Sequence, residues 1–183
     1  GYQNRRELAE QTRPSGDIIF RYEPTDDVKF YAKFTRGYKG RHFNGNSLST
    51  AQPINPVKAE SVNSYEAGWN TSFLEGMFKF DGAAFYYDYE NQQVYQLQDA
   101  AGLPVPVPIL QNAKDSRNIG LESSLTFEWE GIGWYNSIGT NFTEYSDFTV
   151  VNEDVAVSPG GGVTITRDVK DYSGNSLVNA PQF

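Results

Sequence analysis

Ile119-Gly120-Leu121-Glu122-Ser123-Ser124-Leu125-Thr126-Phe127-Glu128-Trp129 is two sequences interleaved. One parity carries Ile119, Leu121, Ser123, Leu125, Phe127 and Trp129; the other carries Gly120, Glu122, Ser124, Thr126 and Glu128. Side chains point to opposite sides of a β-strand in turn, so a period of two makes a ribbon with one apolar and one polar face. The same pattern recurs three more times. Val28, Phe30, Ala32 and Phe34 oppose Lys29, Tyr31, Lys33 and Thr35; Tyr65, Ala67, Trp69, Thr71 and Phe73 oppose Ser64, Glu66, Gly68, Asn70 and Ser72. Phe78, Phe80, Gly82, Ala84 and Tyr86 oppose Lys79, Asp81, Ala83, Phe85 and Tyr87. Two weaker runs, 18–23 and 134–148, complete the set. In the second, Trp134, Ile138 and Phe142 share a face with Asn136 and Thr140, which leaves its orientation open. No segment carries a helical stripe of useful length.

The connections alternate in length. Pro24-Thr25-Asp26-Asp27, Leu74-Glu75-Gly76 and Glu130-Gly131-Ile132-Gly133 are tight links with turn chemistry. Between them run long links over 37–62, 92–116 and 149–177, read here as loops, which hold Pro53, Pro56, Pro104, Pro106, Pro108 and Gly160-Gly161-Gly162. Loops beyond about 12–15 residues are uncommon in a compact soluble domain. Strict alternation of short turns and long loops is instead the pattern of an outer-membrane β-barrel.

Composition narrows the field. The 183 residues carry a formal charge of −8, no cysteine and a single histidine, His42. A disulfide scaffold and a cysteine or multi-histidine metal centre are excluded, and the acidic balance argues against a nucleic-acid partner. No run of 18 apolar residues offers a transmembrane helix, which says nothing against a barrel. The competing reading is a secreted, carbohydrate-binding β-sandwich. Against it stand strand length, charge and aromatics. The run from Met77 to Asn91 far exceeds the roughly 5–6 residues usual for a strand. Lys29, Lys33, Glu66, Lys79, Asp81, Glu122 and Glu128 all oppose the apolar face, while the exceptions Arg36, Asp88, Glu90 and Glu144 sit toward the loop ends. Phe73, Phe78, Phe127, Trp129 and Trp134 flank short turns, and Tyr86, Tyr87, Tyr89 and Tyr95 approach a long loop, as aromatic girdles at two membrane interfaces would.

With these residues in view, the chain resembles the TonB-dependent outer-membrane receptors. Val28-Lys29-Phe30-Tyr31-Ala32-Lys33-Phe34-Thr35-Arg36-Gly37-Tyr38-Lys39 with Phe43-Asn44-Gly45 is similar to a strand and loop start of that family. Glu60-Ser61-Val62-Asn63-Ser64-Tyr65-Glu66-Ala67-Gly68, Phe80-Asp81-Gly82-Ala83-Ala84-Phe85-Tyr86-Tyr87-Asp88-Tyr89 and Asn118-Ile119-Gly120-Leu121-Glu122 follow in family order. Gly174-Asn175 with Asn179-Ala180-Pro181 closes the series. The resemblance implies an all-β, antiparallel, up-and-down transmembrane segment: six to seven strands of a 22-stranded barrel, with short periplasmic turns and long extracellular loops. Residues 1–183 are then expected to be a partial barrel domain, without the plug domain and the remaining strands. By the same resemblance the intact protein, in the outer membrane of a Gram-negative bacterium, imports a scarce nutrient, most often a ferric siderophore, energised through the TonB complex. A plain porin is the alternative within the membrane class.

Little points to catalysis. Asp26-Asp27 belongs to a turn, no Gly-x-Ser-x-Gly elbow surrounds a serine, and Gly160-Gly161-Gly162 lacks the Lys-Ser/Thr of a phosphate loop. Asn70-Thr71-Ser72 and Asn141-Phe142-Thr143 match glycosylation sequons but fall inside strands, and Val105-Pro106-Val107-Pro108 reads as a loop stiffener. No catalytic set, metal site or cofactor is therefore expected. The candidate ligand surface is the first long loop, where Arg36, Tyr38, Lys39, Arg41, His42, Phe43 and Asn44 bring cations, aromatics and an amide together, a lining suited to an anionic iron chelate. Glu66, Lys79, Asp81, Glu122 and Glu128 are expected to pair across strands or to touch the plug.

Overall fold

The structure is a computed structural model, and it describes residues 12–43, 56–98, 107–157, 161–177 and 180. Six long strands form one antiparallel sheet: β1 (Gly16–Thr25), β2 (Val28–Lys39), β5 (Glu60–Phe73), β6 (Phe78–Glu90), β9 (Asp115–Trp129) and β10 (Ile132–Asp147). They pair as β1-β2-β5-β6-β9-β10, an open up-and-down meander in chain order. At one end, tight turns join the strands. Glu130 and Gly131 both take positive φ, 45° and 83°, the two-residue turn whose twist suits a hairpin. Leu74, Glu75 and Gly76 curl likewise, closed by the Met77 amide donating to the Leu74 carbonyl at 3.1 Å. Asp26-Asp27 is a turn, as its sequence indicates, and the Asp27 carbonyl accepts from the Ser72 amide at 2.8 Å.

At the other end the structure refines the loop reading. The three long links carry hairpins of their own: β3 (His42–Phe43) with β4 (Pro56–Val57), β7 (Gln93–Gln98) with β8 (Val107–Asn112), and β11 (Thr149–Val157) with β12 (Val163–Asp171). Val107 and Pro108, expected to stiffen a loop, pair with Gln98 and Leu97 in the second hairpin. Leu97 and Pro108 are adjacent in that ladder, and proline is tolerated in such a peripheral two-stranded ribbon, where one edge needs no donor. Gly160 and Asn179 lie outside the described residues, as do Pro53, Pro104 and Pro106.

Register turns the alternating strands into rows. On the apolar face, Ile18, Phe34, Tyr65, Tyr86, Ile119 and Phe142 align across all six strands. The next row toward the tight turns is Phe20, Ala32, Ala67, Ala84, Leu121 and Thr140. The last is aromatic throughout: Phe73, Phe78, Phe127 and Trp134, with Phe78 and Phe127 ring centroids 4.8 Å apart. Asn136 and Thr140 do share this face with Trp134 and Ile138; the Thr140 hydroxyl is absorbed by accepting from the Leu121 amide at 3.2 Å. No second layer covers the face among the described residues. Phe20 is 77% exposed, Ile18 69% and Ile138 65%. The buried apolar residues lie elsewhere, at the base of the outer hairpins: Ala113, Tyr145, Phe148 and Val150 form a cluster joined by Val94, Tyr172 and Leu177. A sandwich would bury the sheet's apolar side and leave its loops thin. Here the order is reversed.

Candidate functional site

The polar face is built by pairs that cross strands. Tyr31 lies over Gly68 and Phe85 over Gly120, each ring filling the space where a β-carbon would stand. So seated, the Tyr31 hydroxyl donates to Glu66 Oε1 at 2.6 Å, and Phe85 stacks on Tyr87 with centroids 5.1 Å apart. Around them opens a cavity of about 390 Å³, lined by Tyr31, Glu66, Tyr87, Asn118, Glu122 and Asn141. Its chemistry is one-sided. The amide oxygens of Asn118 and Asn141 are buried without a donor, beside two carboxylates. Buried acceptors left unmatched are costly, so the cavity favours a partner that brings N–H donors or positive charge. Nearer the tight turns, Asn70 donates to Asp81 and Lys79 pairs with Glu128 at 3.5 Å. Both sequons thus lie within strands, Asn70 in β5 and Asn141 in β10.

The first outer link is distributed rather than gathered on one surface. Arg36 and Tyr38 keep the parity of the apolar face in β2, and Lys39 takes the other. Arg41 is exposed, and His42 and Phe43 pair with Val57 and Pro56 in the β3/β4 hairpin. The His42 ring contacts the Gly40 carbonyl at 3.3 Å. Asn44 lies outside the described residues.

Two amides that the sequence did not single out fasten this link to the second. Gln93 Nε2 donates to the carbonyls of Gly40 (2.9 Å) and Lys58 (3.0 Å), and its backbone amide donates to Glu60 at 2.8 Å. Asn112 donates to Lys58 (3.1 Å) and Asn91 (2.6 Å) and accepts from the Lys58 amide at 2.8 Å. Nothing in the local pattern distinguishes Gln93 from Gln92 or Gln96; only the fold brings it against Gly40 and Lys58.

Above the apolar band one more row crosses the same face: Arg36, Asn63, Asp88, Arg117 and Glu144, with Arg117 and Glu144 paired at 2.8 Å. The charged exceptions to the parity rule therefore share one level with Arg117, except Glu90, which stands one row further out opposite Ser61. Between this row and the tight turns β6 presents positions 78, 80, 82, 84 and 86 on the apolar side, about the 9–11 residues with which a tilted strand crosses hydrocarbon. Of the four tyrosines expected at the outer girdle only Tyr86 faces that way; Tyr87 and Tyr89 take the opposite parity, and Tyr95 lies in the second hairpin.

An aromatic-lined band capped by charge, with no covering layer among the described residues, has the character of a membrane surface, and the family comparison agrees. Residues 4–183 match the model of the TonB-dependent receptor-like β-barrel. The chain belongs to that family. Neither the curated proteins nor the solved structures give a match. As members of a family of transport receptors in the Gram-negative outer membrane, these strands cross the membrane with their tight turns on the periplasmic side. The hairpins then stand outside the cell, and the polar face looks into the barrel lumen.

Proposed function

We propose that this chain is part of the barrel of an active-transport receptor that takes up a scarce nutrient, a ferric siderophore, with energy delivered through TonB to a plug domain. It acts by binding and translocation and makes or breaks no covalent bond in its cargo. The observation that supports this most is the acceptor-rich lumenal cavity at Glu66, Asn118, Glu122 and Asn141. An open porin lumen bathes such groups in water, whereas a plugged barrel offers them donors on a protein surface. Guanidinium or amide groups of a plug would satisfy both asparagine oxygens and neutralise the two carboxylates. Among the described residues six strands form the sheet, and an unclosed sheet in lipid leaves backbone groups unpaired at its edges. The working transporter therefore requires further strands.

The first outer link supplies cations for an anionic chelate: Lys39, which takes the parity of the polar face, and the exposed Arg41 beyond it. Uptake of radiolabelled ferric siderophores by cells carrying the full-length receptor tests the reading. Accumulation is expected to require both the receptor and TonB, and to fall several-fold for Lys39→Ala/Arg41→Ala. Accumulation that persists without TonB would assign the chain to a passive pore.

A further inference from the structure

One guanidinium on the lipid-facing side has no partner. In the charged row above the apolar band Arg117 pairs with Glu144, but Arg36 has neither an ion pair nor a hydrogen bond among the described residues. Its ladder neighbours bring no charge. Gly16 on one side has open space where a β-carbon would stand, and Asn63 on the other has an amide oxygen buried without a donor. Arg13 is exposed and likewise unpaired, three residues before Gly16, so its α-carbon lies within about 11 Å of that opening. Tyr38, 43% exposed, stands one row further out on the same face as Arg36. The nearest carboxylates on this face, Asp88 and Glu90, belong to β6, two strands or about 10 Å away. Glu90 already accepts from the Ser61 hydroxyl at 3.2 Å. The β1/β2 corner is therefore cationic, in a chain whose net charge is −8.

Directly beneath lies a step in the apolar band. Phe34, Tyr65 and Tyr86 form a continuous ledge, with ring centroids 5.2 and 6.3 Å apart, and the row below it is Ala32, Ala67 and Ala84. The step belongs to a groove of about 770 Å³ lined by all six strands of the sheet, from Ile18 on β1 to Phe142 on β10. Six strands span about 24 Å, wider than the two chains of a phospholipid side by side. A guanidinium at headgroup depth holds phosphate through paired N–H donors, and each such cation adds to the attraction for an anionic lipid. Two cations set apart in this way suit two phosphates separated by a sugar, and a sugar hydroxyl would supply the donor that Asn63 lacks. We infer that the β1/β2 corner docks a phosphorylated, multiply acylated glycolipid of the outer leaflet, its phosphates on Arg36 and Arg13 and its chains in the alanine groove. This concerns the seating of the receptor in its membrane and not its cargo, so it needs only the membrane orientation of the family.

Native mass spectrometry of the delipidated full-length receptor in detergent, titrated with diphosphoryl lipid A, tests it. A saturable first adduct is expected. Arg36→Gln and Arg13→Gln should each weaken it about fivefold, and Ala67→Phe, which fills the groove, should weaken it as well, with the folded band on an unheated gel unchanged. Monophosphoryl lipid A and phosphatidylglycerol should bind more weakly than the diphosphoryl form, and inorganic pyrophosphate, which has no chains, should leave no adduct. Arg13 lies outside the strands, so its variant reads the phosphate contact even where Arg36→Gln fails to fold. Binding indifferent to both arginine variants, phosphatidylglycerol held as tightly as diphosphoryl lipid A, or a receptor dimer in place of the adduct overturns the assignment.

Discussion

Glycine carries two different jobs in this sheet, and a substitution separates them. At Gly131 the demand is conformational: φ of 83° in a two-residue turn, with open space around the α-carbon. At Gly120 it is steric, because a β-carbon would strike the Phe85 ring and the Thr140 carbonyl oxygen. Gly120→Val is therefore expected to cost about 1–3 kcal/mol, as overpacking does, read as a lower urea midpoint for the receptor folded in lipid vesicles. A midpoint equal to the parent's would mean that Phe85 swings aside without penalty. At the third outer hairpin, hydrogen bonds from the Ser173 hydroxyl and amide hold the Asp171 carboxyl below its ordinary range, the amide at 2.9 Å from Oδ1. A depressed carboxyl stabilises the fold above its unfolded-state value, and that contribution fades as pH falls through the folded one. Protection of the Ser173 amide from hydrogen exchange should thus persist at pH 5 and decline only below about pH 4, the ordinary aspartate value. Protection lost already at pH 6 would contradict this.

For a strand, what matters is which side a residue takes. Ala83 and Ala84 are neighbours in β6 with the same side chain, one on the lumenal face and one in the middle of the apolar band. Ala84→Lys is expected to destabilise the inserted barrel by about 2–4 kcal/mol and Ala83→Lys by much less, measured as the fraction of receptor that remains compact on unheated gels across a urea series. Equal effects would remove the distinction between faces. Parity of this kind was legible in the chain, because each strand writes its own alternation. Alignment between strands was not. The row Arg36, Asn63, Asp88, Arg117 and Glu144 exists only once four ladders have set their registers, two of them between strands joined by the long outer links, and Arg117 was not singled out in the sequence at all. The outer hairpins were missed for a related reason. In the first two the strands are short, two residues each in β3 and β4 and six each in β7 and β8, and the proline-bearing links between them carry turn signals that outweigh brief alternation; β11 and β12 run to nine residues each, but in β11 Asn152, Glu153 and Asp154 break the apolar parity. The Gln93 and Asn112 clamp depends on those hairpins, so it was hidden with them.

At the level of the whole molecule, a sheet with its apolar side bare and its packed cluster at the outer hairpins divides the work between two places. The band of strands fixes depth in the membrane, between Phe73, Phe78, Phe127 and Trp134 at one interface and the charged row at the other. The outer hairpins, the first tied to the second by Gln93 and Asn112, stand where the proposed function places its ligand surface, and the lumenal cavity is where the proposed plug would bring donors. Gln93→Ala should leave membrane insertion intact but loosen the first hairpin against the second, seen as faster proteolytic nicking within 40–60 on whole cells; an unchanged rate would mean that Asn112 suffices. All of this depends on acyl chains covering the apolar face. Residues 1–183 hold no cysteine, so single cysteines can be placed at each position from 79 to 86 of the full-length receptor, in a background otherwise freed of cysteine, and spin-labelled in bilayers. Labels at 80, 82, 84 and 86 should relax with lipid-soluble oxygen, and labels at 79, 81, 83 and 85 should not. Oxygen accessibility without that period of two, or uniformly low on both faces, would contradict a lipid-facing sheet.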